Sequence, residues 1–213
     1  RRSEQHAQEK IFQKEKINYL RSSLVHISST MDISTYLEPV NIENLTIPSN
    51  TGQYRLADII VKYTVEYGFP DLDQIDVVLI GVSDDRATIN KGSDKAPDEI
   101  RNRFYELYSH WNNLRIADIG NIVHGHQIDD TYFAVKEVIS ELLKSNIVTI
   151  IIGGGQDITY ANYLAYENIG RIINIASVDS AFDLGHDQHE LNNKSYLSHI
   201  ILHQPNFLFN FTN

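Results

Sequence analysis

The sequence predicts an α/β fold with a mostly parallel sheet, and three observations predict it. From Asp76 onward, short β-branched runs alternate with longer stretches of helical periodicity, which is the pattern of βαβ units. The apolar runs are continuous rather than alternating, as in strands that are covered on both faces. The chain has 213 residues, of which 42% are hydrophobic, so it can bury one substantial core.

Three strands stand out in chain order. Residues 77–80 run into Gly81, residues 147–152 run into Gly153, and residues 172–178 run into Asp179. Because parallel strands end at the same edge of a sheet, we expect the turns after the second and third strands to be neighbours. Residues 31–75 precede these strands and are predicted to form an irregular lead-in, with one helix around residues 56–67.

Two helices are predicted between these strands. Pro97 suits the first position of a helix, and the following apolar residues recur at helical spacing. A second helix follows Asp130 and Thr131, either of which can cap it. The predicted core stripe of the first helix is Ile100, Phe104, Leu107 and Trp111. The second helix is predicted to bury Val135, Val138, Ile139 and Leu142 and to expose Lys136, Glu137, Ser140, Glu141 and Lys144.

Both ends of the chain suggest that it is part of a longer sequence. Met31 is the only methionine, and residues 1–30 are rich in Lys, Glu, Gln and Ser. We interpret residues 1–30 as a non-native or upstream extension, with a docking N-terminal helix as the alternative. Residues 207–213 are rich in aromatic residues and have no helix cap or charged tail. Residues 76–213 are therefore predicted to be the N-terminal part of a C-terminally truncated domain.

Composition excludes several classes of function. The 18 basic and 28 acidic residues give a net charge of −10, which opposes binding to nucleic acid. The chain has no cysteine, so disulfides, zinc–thiolate sites, iron–sulfur clusters and thiol nucleophiles are excluded. The longest apolar run, residues 147–152, is far shorter than the roughly 20 residues of a membrane helix. We therefore expect a cytoplasmic protein that binds neither nucleic acid nor membrane.

Polar side chains follow each predicted strand, which is where ligands bind in an open parallel sheet. Asp179 and Asp183 lie four residues apart in the turn after the third strand, and they could hold a divalent cation through oxygen ligands. The alternative is that either aspartate only caps a turn. The corresponding residues after the first two strands are Ser83, Asp84, Asp85, Arg86, Gln156 and Asp157.

The glycine run and the histidines give weaker signals. Gly153-Gly154-Gly155 suggests a phosphate loop, but no Lys-Ser or Lys-Thr follows it, and Ile158 stands where a dinucleotide fingerprint needs glycine. A nucleotide-binding protein is therefore the least favoured interpretation. His199 and His203 could share one helix face and bind a metal, but no acidic third ligand is adjacent in the sequence. An ordinary, partly exposed histidine pair is favoured.

Five segments between Asp76 and Asp183 form an ordered set of motifs. They are Gly81-Val82-Ser83-Asp84-Asp85-Arg86, the stretch from Gly92 to Arg101, Asp118-Ile119-Gly120-Asn121, the stretch from Gly153 to Thr159, and Asp179-Ser180-Ala181-Phe182-Asp183. Their order and spacing resemble the ureohydrolase family, which comprises arginase, agmatinase and formimidoylglutamase. Each segment is similar to a family element, including its G-A-x-x-G-P-x-x-I-R, D-x-G-D, G-G-D-H-S-x-T and D-A-H-x-D motifs.

The resemblance implies a three-layer α/β/α, arginase-like fold with two Mn²⁺ ions at the carboxyl edge of the sheet. It also implies hydrolysis of a C–N bond in a small guanidino or formimino substrate, and a homo-oligomer is compatible with it. This sequence departs from the family at two histidine ligands, which are replaced by Gln156 and Ala181. Asp179 and Asp183 remain as candidate metal ligands, and Gln156 could supply only a weak carbonyl donor.

Two functional hypotheses follow from the resemblance. The first is a divergent ureohydrolase with a degenerate metal site, in which Asp157 or His186 would be the first candidates to replace a lost ligand. The second is a non-catalytic member of the family that acts as a binding or assembly component. The remaining family ligands, two aspartates of an S-x-D-x-D-x-x-D-P element, belong to a part of the fold that this sequence does not reach.

Overall fold

The computed structural model describes residues 31–42, 55–110, 113–185 and 190–213. The predictions for residues 1–30, Trp111 and His186 lie outside these ranges. The strands are β1 (Leu37–Glu38), β2 (Val61–Lys62), β3 (Val77–Val82), β4 (Ile116–Ile122), β5 (Val148–Gly153), β6 (Ile173–Ala176) and β7 (Leu208–Thr212). The helices are α1 (Leu56–Ile59), α2 (Ala96–Phe104), α3 (Ile128–Lys144), α4 (Ile158–Asn168) and α5 (Tyr196–Leu202).

The main sheet is mostly parallel, as predicted. Its strand order is β1-β4-β3-β5, and β2 also pairs with β4. Strands β2, β3 and β5 run parallel to their partners, whereas β1 is antiparallel to β4. The register of β3 with β5 is continuous from Val77 opposite Val148 to Val82 opposite Gly153. The loops that follow β3, β4 and β5 therefore leave from one edge of the sheet.

Helices cover both faces of this sheet, which confirms the three-layer architecture. Successive side chains of β3 point to opposite faces, so Val78 and Ile80 pack in a core with α3 and α4. Leu79 points the other way and packs in a second core with Leu56 and Tyr105. None of the helices in the described ranges has the length and apolar character that a membrane span requires.

Helix α3 confirms the predicted amphipathic pattern, with two differences. Its four predicted core residues are all buried, but the helix begins at Ile128, at least three residues earlier than predicted. Gln127 is the N-cap, and Asp130 completes a capping box from within the first turn. Ser140, predicted to be exposed, is buried because α4 packs on that side, and Asn168 of α4 donates a hydrogen bond to its hydroxyl.

The predicted core stripe of α2 is confirmed at Phe104, which is half-buried and packs against the second core, but it is wrong at Ile100 and Leu107. Ile100 is 46% exposed and Leu107 is 55% exposed, whereas Arg101 is completely buried. A buried carboxylate on the neighbouring strand, Asp118, pairs with Arg101 and so turns that face of the helix towards the sheet. Apolar periodicity cannot reveal this orientation, because a charged residue supplies the inward contact.

The helix predicted for residues 56–67 begins where predicted but is much shorter. Helix α1 ends at Ile59, and Val61 and Lys62 form a strand that pairs with β4. The pairing continues beyond the strand, because the backbone N–H of Tyr63 donates to the carbonyl of Asp118. Hydrogen bonds to the sheet thus replace those of a longer helix.

The third predicted strand is shorter than residues 172–178 and does not join the main sheet. Strand β6 pairs only with β7 among the described strands, in a separate two-stranded parallel sheet. A cavity of about 720 Å³ separates β5 from β6, and side chains of α4 such as Tyr163 and Tyr166 also line it. Val148 and Ile150 of β5 are therefore exposed, although their apolar run predicted cover on both faces.

Candidate functional site

Gln156 and Asp179 meet at the carboxyl edge of the fold. Gln156 lies between β5 and α4, and its side-chain amide donates a hydrogen bond to the Asp179 carboxylate from the loop after β6. This contact confirms that the turns after the second and third predicted strands are neighbours. Parallel strand direction alone predicted it, although β5 and β6 do not pair with each other.

The loop after β6 folds back on itself around Asp179. The backbone N–H of Ala181 donates to the Asp179 Oδ1 atom at 3.2 Å. Asp183 adopts a left-handed backbone conformation with φ of +45°, which is uncommon for a residue other than glycine. Its Oδ2 atom is buried and has no hydrogen-bond partner among the described residues. The two aspartates of the predicted site interact with each other, and Asp183 has a buried oxygen without a hydrogen-bond partner in the described part of the chain.

These two carboxyl groups have different electrostatic environments. The Gln156 amide and the backbone N–H of Ala181 lower the pKa of Asp179. Burial and the neighbouring charge of Asp179 raise the pKa of Asp183. The pair thus concentrates negative charge at the sheet edge, and a proton or a cation would relieve the repulsion.

Asp157 holds the turn that carries Gln156 in place from inside the protein. It is only 2% exposed, and its Oδ2 atom accepts a hydrogen bond of 2.7 Å from the hydroxyl of Tyr132 on α3. Burial raises the pKa of this carboxyl group, and its Oδ1 atom has no partner among the described residues. Because the side chain points into the protein, Asp157 supports the Gln156 turn.

The glycine run permits a close approach between two turns. A side chain at Gly154 would place its Cβ only 2.1 Å from the carbonyl oxygen of Asp84. The neighbouring Arg86 binds the Asp84 carboxylate and also donates to the carbonyls of Gly125 and His126. The turns after β3 and β5 therefore pack backbone to backbone, which explains the glycines without a phosphate ligand.

Two of the quoted sequence motifs meet in a buried network beside β4. Arg101 donates from Nε and Nη2 to the two carboxylate oxygens of Asp118, at 2.8 and 3.0 Å. The hydroxyl of Tyr105 donates to the same carboxylate at 2.7 Å. Arg101 also donates to Asn121, whose Oδ1 atom occupies the space that a side chain at Gly81 would need. These residues therefore stabilise the packing of α2 against β4. This role was not predicted from the sequence, although an Arg and an Asp within apolar segments are a signal of a buried ion pair.

The donor set does not fit a two-ion manganese centre. The candidate residues supply two carboxylates and one amide, and Ala181 has no donor atom in its side chain. Within the described ranges, no three His, Asp or Glu side chains are grouped so that they could hold a metal ion. The Gln156 amide nitrogen is directed at Asp179, which leaves only its carbonyl oxygen for a cation. A pair of catalytic ions needs more ligands than these.

The sequence and the fold of this chain are similar to those of known formimidoylglutamases. The chain is 29% identical over 147 residues to the formimidoylglutamase of Staphylococcus epidermidis, covering 62% of this chain and 47% of that enzyme. The structure resembles formimidoylglutamase from Bacillus subtilis, with a TM-score of 0.61 at 18% identity, over 86% of this chain and 58% of that one. It also resembles Trypanosoma cruzi formiminoglutamase with Mn²⁺, with a TM-score of 0.60 at 18% identity, over 74% and 56% of the two chains.

The match to the family covers the whole region that carries these motifs. The chain spans about half the length of the Staphylococcus epidermidis enzyme that it matches. The sequence model of the arginase family matches residues 75–207, which include every motif quoted above. Strands β3, β4 and β5, the motif network and the paired turns at the carboxyl edge of these strands all lie within that match. This chain therefore belongs to the arginase family.

Proposed function

We propose that the Gln156–Asp179–Asp183 edge is the N-terminal part of a ureohydrolase-type site, of the formimidoylglutamase kind, whose metal-binding capacity is degenerate. The single observation that carries this proposal is the Gln156–Asp179 hydrogen bond, which joins the two turns that hold the family motifs. The substrate class of such a site is a small guanidino or formimino compound. Formimidoylglutamase is favoured within the family because relatives of that name match the chain.

Manganese is the metal that this proposal concerns. When bound, a pair of Mn²⁺ ions supplies a hydroxide nucleophile by lowering the pKa of water. In this chain, two carboxylates and an amide carbonyl are too few donors for two ions, and the affinity of a site depends on how many donors converge. We therefore expect this chain to bind Mn²⁺ weakly and not to hydrolyse ureohydrolase substrates.

The alternative is a non-catalytic member that acts as a binding or assembly component. The observation that favours it is the use of the Gln156 amide as a donor to Asp179, because histidine at this position would offer a metal ligand instead. In this alternative, the Gln156–Asp179 hydrogen bond occupies the place of a metal contact between the two turns. The chain then binds a partner through its surface and catalyses no reaction. Because hydrolysis by this chain is expected under neither hypothesis, binding of a partner protein or of an intact substrate is the result that would favour the alternative.

The experiment measures the release of product by the full chain. The full 213-residue chain is incubated with Mn²⁺ and with arginine, agmatine or formiminoglutamate, and urea or formamide is quantified. The Staphylococcus epidermidis formimidoylglutamase serves as the positive control for the third substrate. We expect no release above the level of Mn²⁺ alone. Robust hydrolysis that Asp179→Ala abolishes would overturn the proposal of a degenerate site.

A further inference from the structure

The outer edge of β5 carries backbone groups that pair with no other strand in the described ranges. The backbone N–H groups of Val148 and Gly154 donate to carbonyls at or next to the two ends of β3, and the register between these strands is continuous. Successive residues of a parallel strand direct their backbone groups to alternate sides. The groups that point away from β3 therefore belong to Thr149, Ile151 and Gly153.

Strand β6 presents a second open edge to the same gap. The backbone N–H groups of Ile173 and Ser177 donate to carbonyls at or next to the ends of β7. The same alternation directs the backbone groups of Asn174 and Ala176 away from β7. These two residues line the cavity of about 720 Å³ together with Thr149 of β5. Both sides of the gap are therefore sheet edges that the described strands leave unpaired.

The gap has the dimensions of a strand. Strands rise about 3.3 Å per residue and lie about 4.8 Å apart, and packed sheets are about 10 Å apart, so a four-residue strand fills roughly 600 Å³. Strand β6 has four residues, and the cavity beside it measures about 720 Å³. The turns after β5 and β6 meet at Gln156 and Asp179, so both edges lead to the same end of the fold. A strand in the gap would join the two sheets into one.

Helix α4 covers one face of the gap and contains an unsatisfied acceptor. The lining residues from this helix are Thr159, Asn162, Tyr163 and Tyr166. The Oδ1 atom of Asn162 is buried and has no hydrogen-bond partner in the part of the chain that the structure describes. Such an acceptor costs free energy, and an N–H or O–H donor on an inserted segment would remove that cost. The gap therefore offers hydrogen bonds from its two edges and from one face.

A second copy of this chain does not supply a suitable strand. Each described strand already pairs with at least one neighbour, so none can enter a gap that needs pairing on both sides. Members of the family contain more chain than this sequence matches. The match covers 47% of the Staphylococcus epidermidis formimidoylglutamase, so more than half of that enzyme lies outside it.

We propose that the gap between β5 and β6 binds a β-strand from the part of an arginase-family chain that this sequence does not match, supplied by a second polypeptide. The strand pairs through its backbone with Thr149 and Ile151 on one side and with Asn174 and Ala176 on the other. Addition of a strand to an exposed sheet edge is a common mode of peptide recognition. The proposal does not depend on the proposed function, because this pairing requires neither metal nor substrate.

The experiment co-expresses the full 213-residue chain, carrying an affinity tag, with the part of the Staphylococcus epidermidis enzyme that follows the matched segment. We expect the two polypeptides to copurify in equal amounts. Hydrogen exchange followed by mass spectrometry should then slow about tenfold or more in residues 148–153 and in residues 173–176. The intact enzyme is the control and should not copurify, because its own fold already holds the same segment.

A substitution at Thr149 tests the pairing directly. Thr149→Pro removes an N–H that points into the gap and leaves the hydrogen bonds to β3 in place, so we expect binding to weaken roughly tenfold. Thr149→Val keeps the N–H and is the matched control, which should bind like the original chain.

Two results would overturn the proposal. One is exchange protection in β5 without protection in β6, which indicates pairing along a single edge, as in self-association. The other is the absence of any copurified fragment. Both results come from the original chain, so they do not depend on whether Thr149→Pro folds.

Discussion

Arg101 donates hydrogen bonds to Asp118, Asn121 and the carbonyl of Gly120, so one guanidinium connects α2 with β4. Both members of the Arg101–Asp118 ion pair are fully buried. A buried pair adds little stability relative to an apolar pair, but removal of one member leaves an uncompensated charge. At the scale of single residues, the fold therefore depends on charges that the hydrophobic pattern does not reveal.

We expect Arg101→Met to lower the free energy of unfolding by about 3–5 kcal/mol, because the buried Asp118 carboxylate loses its partner. Urea denaturation followed by circular dichroism measures the change. Arg103→Met is the matched control, since the Arg103 side chain on the same helix is 84% exposed, and its effect should stay within about 0.5 kcal/mol. Equal losses in the two variants would contradict this account of the network.

Asp84 predicts a dependence of stability on pH. Burial alone would raise the pKa of Asp84, but the hydrogen bonds and charge of Arg86 outweigh it and lower the pKa below 3.8. The contribution to stability is therefore present above pH 3.8 and is lost as the pH falls through the lower pKa of the folded state.

The test compares Asp84→Asn with the original chain at neutral pH and near pH 3. We expect the variant to be less stable at neutral pH and the difference to shrink as the pH falls. The exposed Asp73→Asn variant should follow the original chain at each pH. A difference that grows on acidification would show that Asp84 does not act through Arg86.

At the scale of elements, the site consists of turns whose positions are set by parallel strands. The turn after β5 is fixed by Asp157 and the glycine run, whereas the loop after β6 is fixed by its own hydrogen bonds to Asp179. Their meeting brings Gln156 to the carboxylate of Asp179, in the loop that also holds Ala181 and Asp183. Direct hydrogen bonds between protein groups therefore hold the two turns together.

We expect the double substitution Gln156→His with Ala181→His to raise Mn²⁺ affinity, because it adds two imidazole donors to the two aspartates. Electron paramagnetic resonance of free Mn²⁺ measures the binding. Asn113→His, which adds a histidine before β4 at the opposite edge of the sheet, is the control and should not change the affinity. If both proteins bind Mn²⁺ equally, the two substituted positions do not converge on the aspartates.

At the scale of the whole molecule, the open edge of β5 leaves apolar surface uncovered. Val148 is 60% exposed and Ile150 is 41% exposed on this strand, which has no second neighbour among the described strands. An edge strand with exposed apolar residues and unpaired backbone groups is prone to self-association. The separation of β6 and β7 from the main sheet creates this surface.

We therefore expect the full chain to aggregate or self-associate at high concentration. Ile150→Lys should reduce this association, because a charged side chain on an edge strand opposes pairing with another chain. Size-exclusion chromatography with light scattering measures the mass distribution. Ile100→Lys, at an exposed isoleucine on α2, is the control and should associate like the original chain. A monomeric original chain that unfolds cooperatively and reversibly would show that the exposed edge is harmless.

The sequence by itself determined the features that depend on local periodicity and strand direction. These are the strands predicted at residues 77–80 and 147–152, the buried face of α3 and the meeting of Gln156 with Asp179. Continuous apolar runs and helical spacing report what each segment buries, and parallel strands end at one edge whatever their order. The candidate sheet-edge residues could therefore be named before the structure was known.

Only the tertiary structure decided the contacts between residues that are distant in the chain. Arg101 turned α2 by pairing with Asp118, β4 recruited residues 61–62 into a strand, and α4 brought Glu167 to His203. It also decided that β6 pairs with β7 instead of the main sheet. These outcomes depend on partners that no sequence window contains, because the free energy of a buried charge or a sheet edge is set by the group that lies opposite it.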